Sequence, residues 1–168
     1  AMILDKTGTI TENRMSLARL FLLSSNKIFT PGEQLPENER QLISLAMWAS
    51  EPSPFDPMEV ALHQAYKDFN LKDERGDYEL VHEYPLGGKP PMMTHVFESG
   101  TGSRIIAAKG APEALINVSD LTEVDRNRIN SAMQSLAKEG FRLLGVAYSD
   151  FSGTGYPAAQ QDLPFRFV

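Results

Sequence analysis

The apolar positions of this chain fall into short runs with two periods. Met2, Ile3 and Leu4 form a brief apolar run closed by Asp5, the pattern of a buried strand that leads into a polar loop. Residues 17–23 are apolar enough for a second strand, and Ser24-Ser25-Asn26-Lys27 turns the chain toward Ile28-Phe29. Residues 30–36 hold two prolines and a glycine and read as a loop. Over 37–50 the period becomes helical, with Leu42, Leu45, Ala46 and Ala49 on one face. Asp56-Pro57-Met58-Glu59 opens a second helix: a capping carboxylate, a proline at the first position and an acid at the third. Leu62, Ala65, Tyr66 and Phe69 line one face of that helix, which is expected to end near Asn70.

From Tyr78 onward the pattern shortens to strands. They are expected over 78–84, 92–98 and 104–109, the last two joined by the turn Ser99-Gly100-Thr101-Gly102-Ser103. Ala111-Pro112-Glu113 begins a short helix. A longer helix over 122–139 places Ile129, Ala132, Met133 and Leu136 together, with Gly140 behind it as a C-cap. A strand follows over 142–147, a Gly/Pro loop over 152–157 and an extended run over 162–168. This order predicts an α+β domain, an antiparallel β-sheet flanked by α-helices.

Composition narrows the functional classes. At 168 residues, 42% of them hydrophobic, the chain is long enough for one domain with a real core. A net charge of −6 argues against a nucleic-acid partner, which needs a basic face. The absence of cysteine excludes disulfides and thiolate metal sites. His63, His82 and His95 are scattered without metal-ligand spacing and are expected to be structural or surface residues. No apolar run approaches the roughly 18–20 residues of a membrane-spanning helix, so the chain itself is not expected to be membrane-inserted.

Two strings carry chemistry. Asp5 sits where reactive groups gather in α/β sheets, at the carboxyl end of a strand, and a carboxylate there can act as a nucleophile that forms an aspartyl-phosphate. The string Asp5-Lys6-Thr7-Gly8-Thr9-Ile10-Thr11 resembles the phosphorylation motif of P-type ATPases, with Ile10 in place of the usual Leu. Haloacid-dehalogenase-type phosphatases share the first Asp but place a second where this chain has Thr7, which favours a pump over a free-standing phosphatase. Lys109-Gly110-Ala111-Pro112-Glu113 is identical to a string found in the nucleotide-binding domain of many calcium, sodium/potassium and proton pumps. A lysine at a strand end can reach an anionic ligand as a point charge, and Gly110 permits close backbone approach.

The resemblance implies ATP and Mg²⁺ as cofactors and a set of site residues. Asp5 would take the γ-phosphate, and Asp5 and Thr7 would hold Mg²⁺ in the full-length protein. Residues 84–92 resemble the family's aromatic-x-x-x-x-Lys stretch: Tyr84 would stack on adenine where Phe is usual, and Lys89 would lie near base and phosphates. Leu86 stands where pumps often have Arg. Glu59 would accept a hydrogen bond from the adenine amino group, Lys109 and Gly110 would contact the nucleotide, and Arg142 would reach toward the phosphates. The resemblance also implies a domain plan: residues 1–10 as the first strand of a phosphorylation domain, 11–16 as a hinge, 17–161 as the nucleotide-binding domain and 162–168 as the returning hinge. The chain is then expected to be a cytoplasmic piece of an integral membrane pump of the plasma or inner membrane. Its partners would be ATP and the pump's phosphorylation, actuator and membrane domains. By itself it is expected to bind ATP without turnover. The rival reading is a non-catalytic interaction or regulatory module with a vestigial phosphorylation motif and no nucleotide affinity.

Overall fold

A computed structural model of the chain describes residues 2–6, 15–30, 37–69 and 72–168. Thr7, most of the hinge expected over 11–16, the loop over 31–36 and Asn70 lie outside the described residues.

Among the described residues, eight strands form one sheet in which every ladder is antiparallel. They are β1 (Met2–Lys6), β2 (Met15–Leu22), β3 (Lys27–Phe29), β4 (Tyr78–Gly87), β5 (Met92–Ser99), β6 (Arg104–Gly110), β7 (Arg142–Ser149) and β8 (Phe165–Phe167). The order across the sheet is β3-β2-β1-β7-β6-β5-β4, and β8 continues the β1 side of β7. The α-helices of the described residues are α1 (Glu37–Trp48), α2 (Pro57–Asp68), α3 (Pro112–Val118) and α4 (Glu123–Lys138). The α+β expectation therefore holds at the level of elements and ladder sense.

The local devices are those the sequence suggests. Asp56 has extended backbone and accepts a hydrogen bond from the Met58 N–H at 2.8 Å, with Pro57 at the first position of α2. Thr122 caps α4 by accepting from the Asp125 N–H, and Gly140 takes φ +82° just past the helix end, a conformation that costs glycine little. Two short 3-10 turns, Glu74–Asp77 and Gln160–Asp162, were not expected, because single turns of polar residues carry no hydrophobic period.

Helices cover both faces of the sheet. Leu42, Ile43 and Ala46 of α1 and Leu62 and Tyr66 of α2 pack with Leu20, Leu22, Phe97, Ala107, Leu144 and Val146 on one face. Ala114 and Leu115 of α3 and Ile129, Ala132 and Leu136 of α4 pack with Val96, Ile106, Ala108 and Ala147 on the other. β1 pairs with β2 and with β7, so the strand that bears Asp5 belongs to this sheet and does not stand apart from it. The expected returning hinge is also tied into the core: Phe165 is 1% exposed, Phe167 is buried, and both pack against the α3/α4 face.

Candidate functional site

Antiparallel register sorts the candidate residues by face. One row across the sheet reads Tyr84, Thr94, Ala108, Ala147, Phe167. Its members Tyr84, Ala108, Ala147 and Phe167 all lie in the core beneath α3 and α4. The adjacent row reads Met93, Lys109, Val146, and Val146 lies in the core beneath α1 and α2. Successive side chains along a strand point to opposite faces. Lys109 therefore lies under α1 and α2, and Tyr84 lies on the far side of the sheet.

Lys109 is where the chemistry concentrates. Its Nζ donates to the Glu59 carboxylate of α2 and, at 3.0 Å, to Ser50 Oγ at the end of α1. The Lys109 and Glu59 side chains are only 6% and 10% exposed. Ser50 is fixed in turn by donating to the Ala46 carbonyl at 2.7 Å. Burial pushes the Lys109 ammonium below the usual lysine range, and the Glu59, Glu51 and Asp56 carboxylates oppose that shift. The second Glu59 oxygen, Oε2, is buried without a hydrogen-bond partner. A buried ammonium and a half-satisfied carboxylate side by side can receive a polar, anionic ligand, provided the ligand parts them.

The other candidates separate into two groups. Lys89 is exposed in the β4–β5 turn, and the Lys89–Pro90 peptide is cis. That turn lies at the Gly110 end of β6, where the Ala111 N–H donates to the Pro91 carbonyl at 2.9 Å. Arg142 is exposed at the start of β7, four residues before the Val146 that pairs with Lys109, about 13 Å along the strand. It pairs with Leu4, so Asp5 and Lys6 complete β1 at this same end of the sheet. One sheet end thus gathers Lys89, Lys109, Gly110, Arg142 and the backbone of Asp5, with Glu59 above it from α2.

Tyr84 and Gly110 are placed differently from the rest of this group. Tyr84 does not meet Lys109 and Glu59: its ring is 7% exposed within the opposite core, and its hydroxyl donates to the Pro157 carbonyl at 2.6 Å. The close approach at Gly110 is made by the protein's own backbone. A Cβ there would lie 2.5 Å from the Pro91 oxygen and 2.6 Å from the Met92 Cα. The sequence reading missed Ser50, which no local pattern distinguishes from an ordinary helix-terminal serine.

Residues 55–165 match the family described as P-type ATPase, cytoplasmic domain N, and the chain belongs to that family. It is 27% identical to Calcium-transporting ATPase 1 of Saccharomyces cerevisiae over 96% of its own length and 21% of the relative's. It is 25% identical to Calcium-transporting ATPase 1 of Bacillus cereus over 89% of the chain and 19% of that protein. Plasma membrane ATPase 1 of S. cerevisiae is 26% identical over 85% of the chain and 15% of its own length. The chain thus spans about a fifth or less of these relatives. Among the described residues, no helix is long and apolar enough to cross a membrane.

Proposed function

We propose that this chain is the ATP-binding domain of a P-type cation-transporting ATPase, and that Lys109, Glu59 and Gly110 form the centre of its nucleotide site. One observation carries the reading: a lysine at a strand end, almost wholly buried, held by a helix-borne carboxylate on the face where Ser50 also converges. A lysine is seldom buried without such pairing. Nucleotide phosphates would compete with Glu59 for the Lys109 ammonium, and the freed carboxylate could accept a hydrogen bond from an exocyclic amine of the base. Lys89 and Arg142 supply exposed positive charge at the same sheet end. Tyr84 serves in this reading as a packing residue.

In the whole pump, the γ-phosphate of ATP would pass to Asp5, and ion transport across a plasma or inner membrane would follow. Catalysis of that transfer is mainly positioning and charge stabilisation. Asp5 and Thr7 are the residues that would hold Mg²⁺; a carboxylate and a backbone carbonyl suit that hard cation, which supplies charge screening when bound. The domain alone would bind nucleotide without turning it over.

An NMR titration of the labelled chain with ATP, without and then with Mg²⁺, tests the proposal. Saturable shifts at Glu59, Lys89, Lys109 and Gly110, with no ADP produced, are the expected result. A flat titration to millimolar ATP would leave the rival reading, an interaction module without nucleotide affinity. The closed Lys109–Glu59 contact is the observation that favours that rival.

A further inference from the structure

The row beside Lys109 carries a second cluster that sequence spacing does not show. His95 on β5 lies directly opposite Glu83 on β4, and Glu51 enters from the loop that follows α1. One ligand atom from each of the three lies within 4.8 Å of the other two. Glu83 is exposed and Glu51 half-buried, but His95 is 0% exposed, and neither ring nitrogen makes a hydrogen bond of ordinary geometry, the Trp48 backbone offering at most a weak one. A buried imidazole so poorly partnered is costly, and the cost calls for an explanation. The other two histidines are engaged elsewhere: His63 Nε2 lies 3.0 Å from the Glu51 carbonyl, and His82 stacks on Tyr156.

We propose that His95, Glu51 and Glu83 form a binding site for a divalent transition cation, with Zn²⁺ the best fit. One imidazole nitrogen and two carboxylates make a donor set of borderline softness; Mg²⁺ prefers oxygen alone. The imidazole must be neutral to ligate. Two carboxylates converging on a neutral ring repel each other, and a divalent cation relieves that repulsion. Lys109 does not fill this role, because its ammonium is taken by Glu59 and Ser50. The cation would tie the edge strand β4 to β5 and to the loop beneath Trp48. The site uses none of the proposed nucleotide contacts and stands independently of that reading.

The test is a titration of the metal-free full chain with ZnCl₂ in the absence of nucleotide. Calorimetry gives the stoichiometry, imidazole ¹⁵N spectra report the three histidines, and MgCl₂ serves as the control. The expected result is one-to-one binding that moves the His95 ring signals alone, raises the melting temperature and is not reproduced by Mg²⁺. Glu83→Gln and Glu51→Gln should each weaken binding at least tenfold, since loss of even an outer-shell partner typically costs about 10–100-fold. His95→Gln should abolish it; should that variant fail to fold, the two glutamate variants still decide. Movement of His63 or His82 in place of His95, unchanged affinity in Glu83→Gln, or no saturation by roughly millimolar Zn²⁺ would overturn the proposal; a structural zinc site binds far more tightly than that.

Discussion

Lys109 on β6 and Glu59 on α2 lie fifty positions apart in the chain and meet as a nearly dry ion pair. The contact joins the helical layer to the sheet where, among the described residues, an anionic ligand could find a buried lysine. It makes Lys109 both a structural element and the candidate binding group, and the two roles can be measured separately.

Breaking the pair from one side should be costly. Lys109→Met leaves Glu59 buried without its counter-charge, and Glu59→Gln leaves the ammonium without its contacting carboxylate. Each is expected to destabilise the domain by about 3–5 kcal/mol, whereas the double variant Glu59→Leu/Lys109→Met should lose much less. Urea unfolding of the four proteins gives the coupling directly. Simple additivity of the single losses would mean that the two side chains do not depend on each other.

Tyr84 offers the contrasting case. Its hydroxyl donates to the Pro157 carbonyl from the far face of the sheet, so Tyr84→Phe should cost about 1 kcal/mol and leave the ATP-induced shifts at Lys109 and Gly110 unchanged. Tyr84→Ala should cost about 3–5 kcal/mol through the cavity it leaves in the α3/α4 core. A large loss of ATP affinity in the still-folded Tyr84→Phe protein would return this ring to the nucleotide site.

Much of the fold was legible because its signals are local. The capping carboxylate of Asp56, the proline behind it and the glycine after α4 each mark a boundary within a few residues. Lys109 and Gly110 stood out by their motif. The division of the site was not legible, because whether Tyr84 and Lys109 share a face depends on the parity of cross-strand register, which two hairpins set jointly. The His95, Glu51 and Glu83 cluster was hidden for a related reason: no sequence period links a buried strand residue to a loop forty-four positions earlier. The pairing of Ile3 with Leu143 was not legible either, since it joins residues 140 positions apart.

Gly110 should resist any side chain. Its added Cβ would meet backbone atoms of Pro91 and Met92, which cannot swing away as a flexible side chain can. Gly110→Ala is therefore expected to destabilise by about 1–3 kcal/mol, the usual cost of overpacking, with or without nucleotide. Thermal melts in the absence of ATP check this. A normally stable Gly110→Ala protein that has lost only ATP binding would point instead to direct backbone contact with the ligand.

Mild acid should weaken the fold through histidine. Burial lowers the His95 pKa, and burial also lowers that of His63, so the folded protein prefers both rings neutral. The unfolded chain takes up protons near the ordinary value of about 6.5. Below that pH the unfolded state binds more protons, so stability is full above 6.5 and is lost as pH falls toward the folded values. Each ring can contribute a slope of at most about 1.4 kcal/mol per pH unit. Asp73, whose pKa its hydrogen bond to Arg75 lowers, acts in the same direction but only below the carboxylate range, so the interval from 7.5 to 5.5 isolates the histidines. Urea midpoints across that interval should fall for the wild type, fall less for His63→Asn, and become nearly flat when His95→Gln is added. A midpoint that rises on acidification would mean that the folded protein binds the extra protons more tightly than the unfolded chain, against the lowered values of His95 and His63.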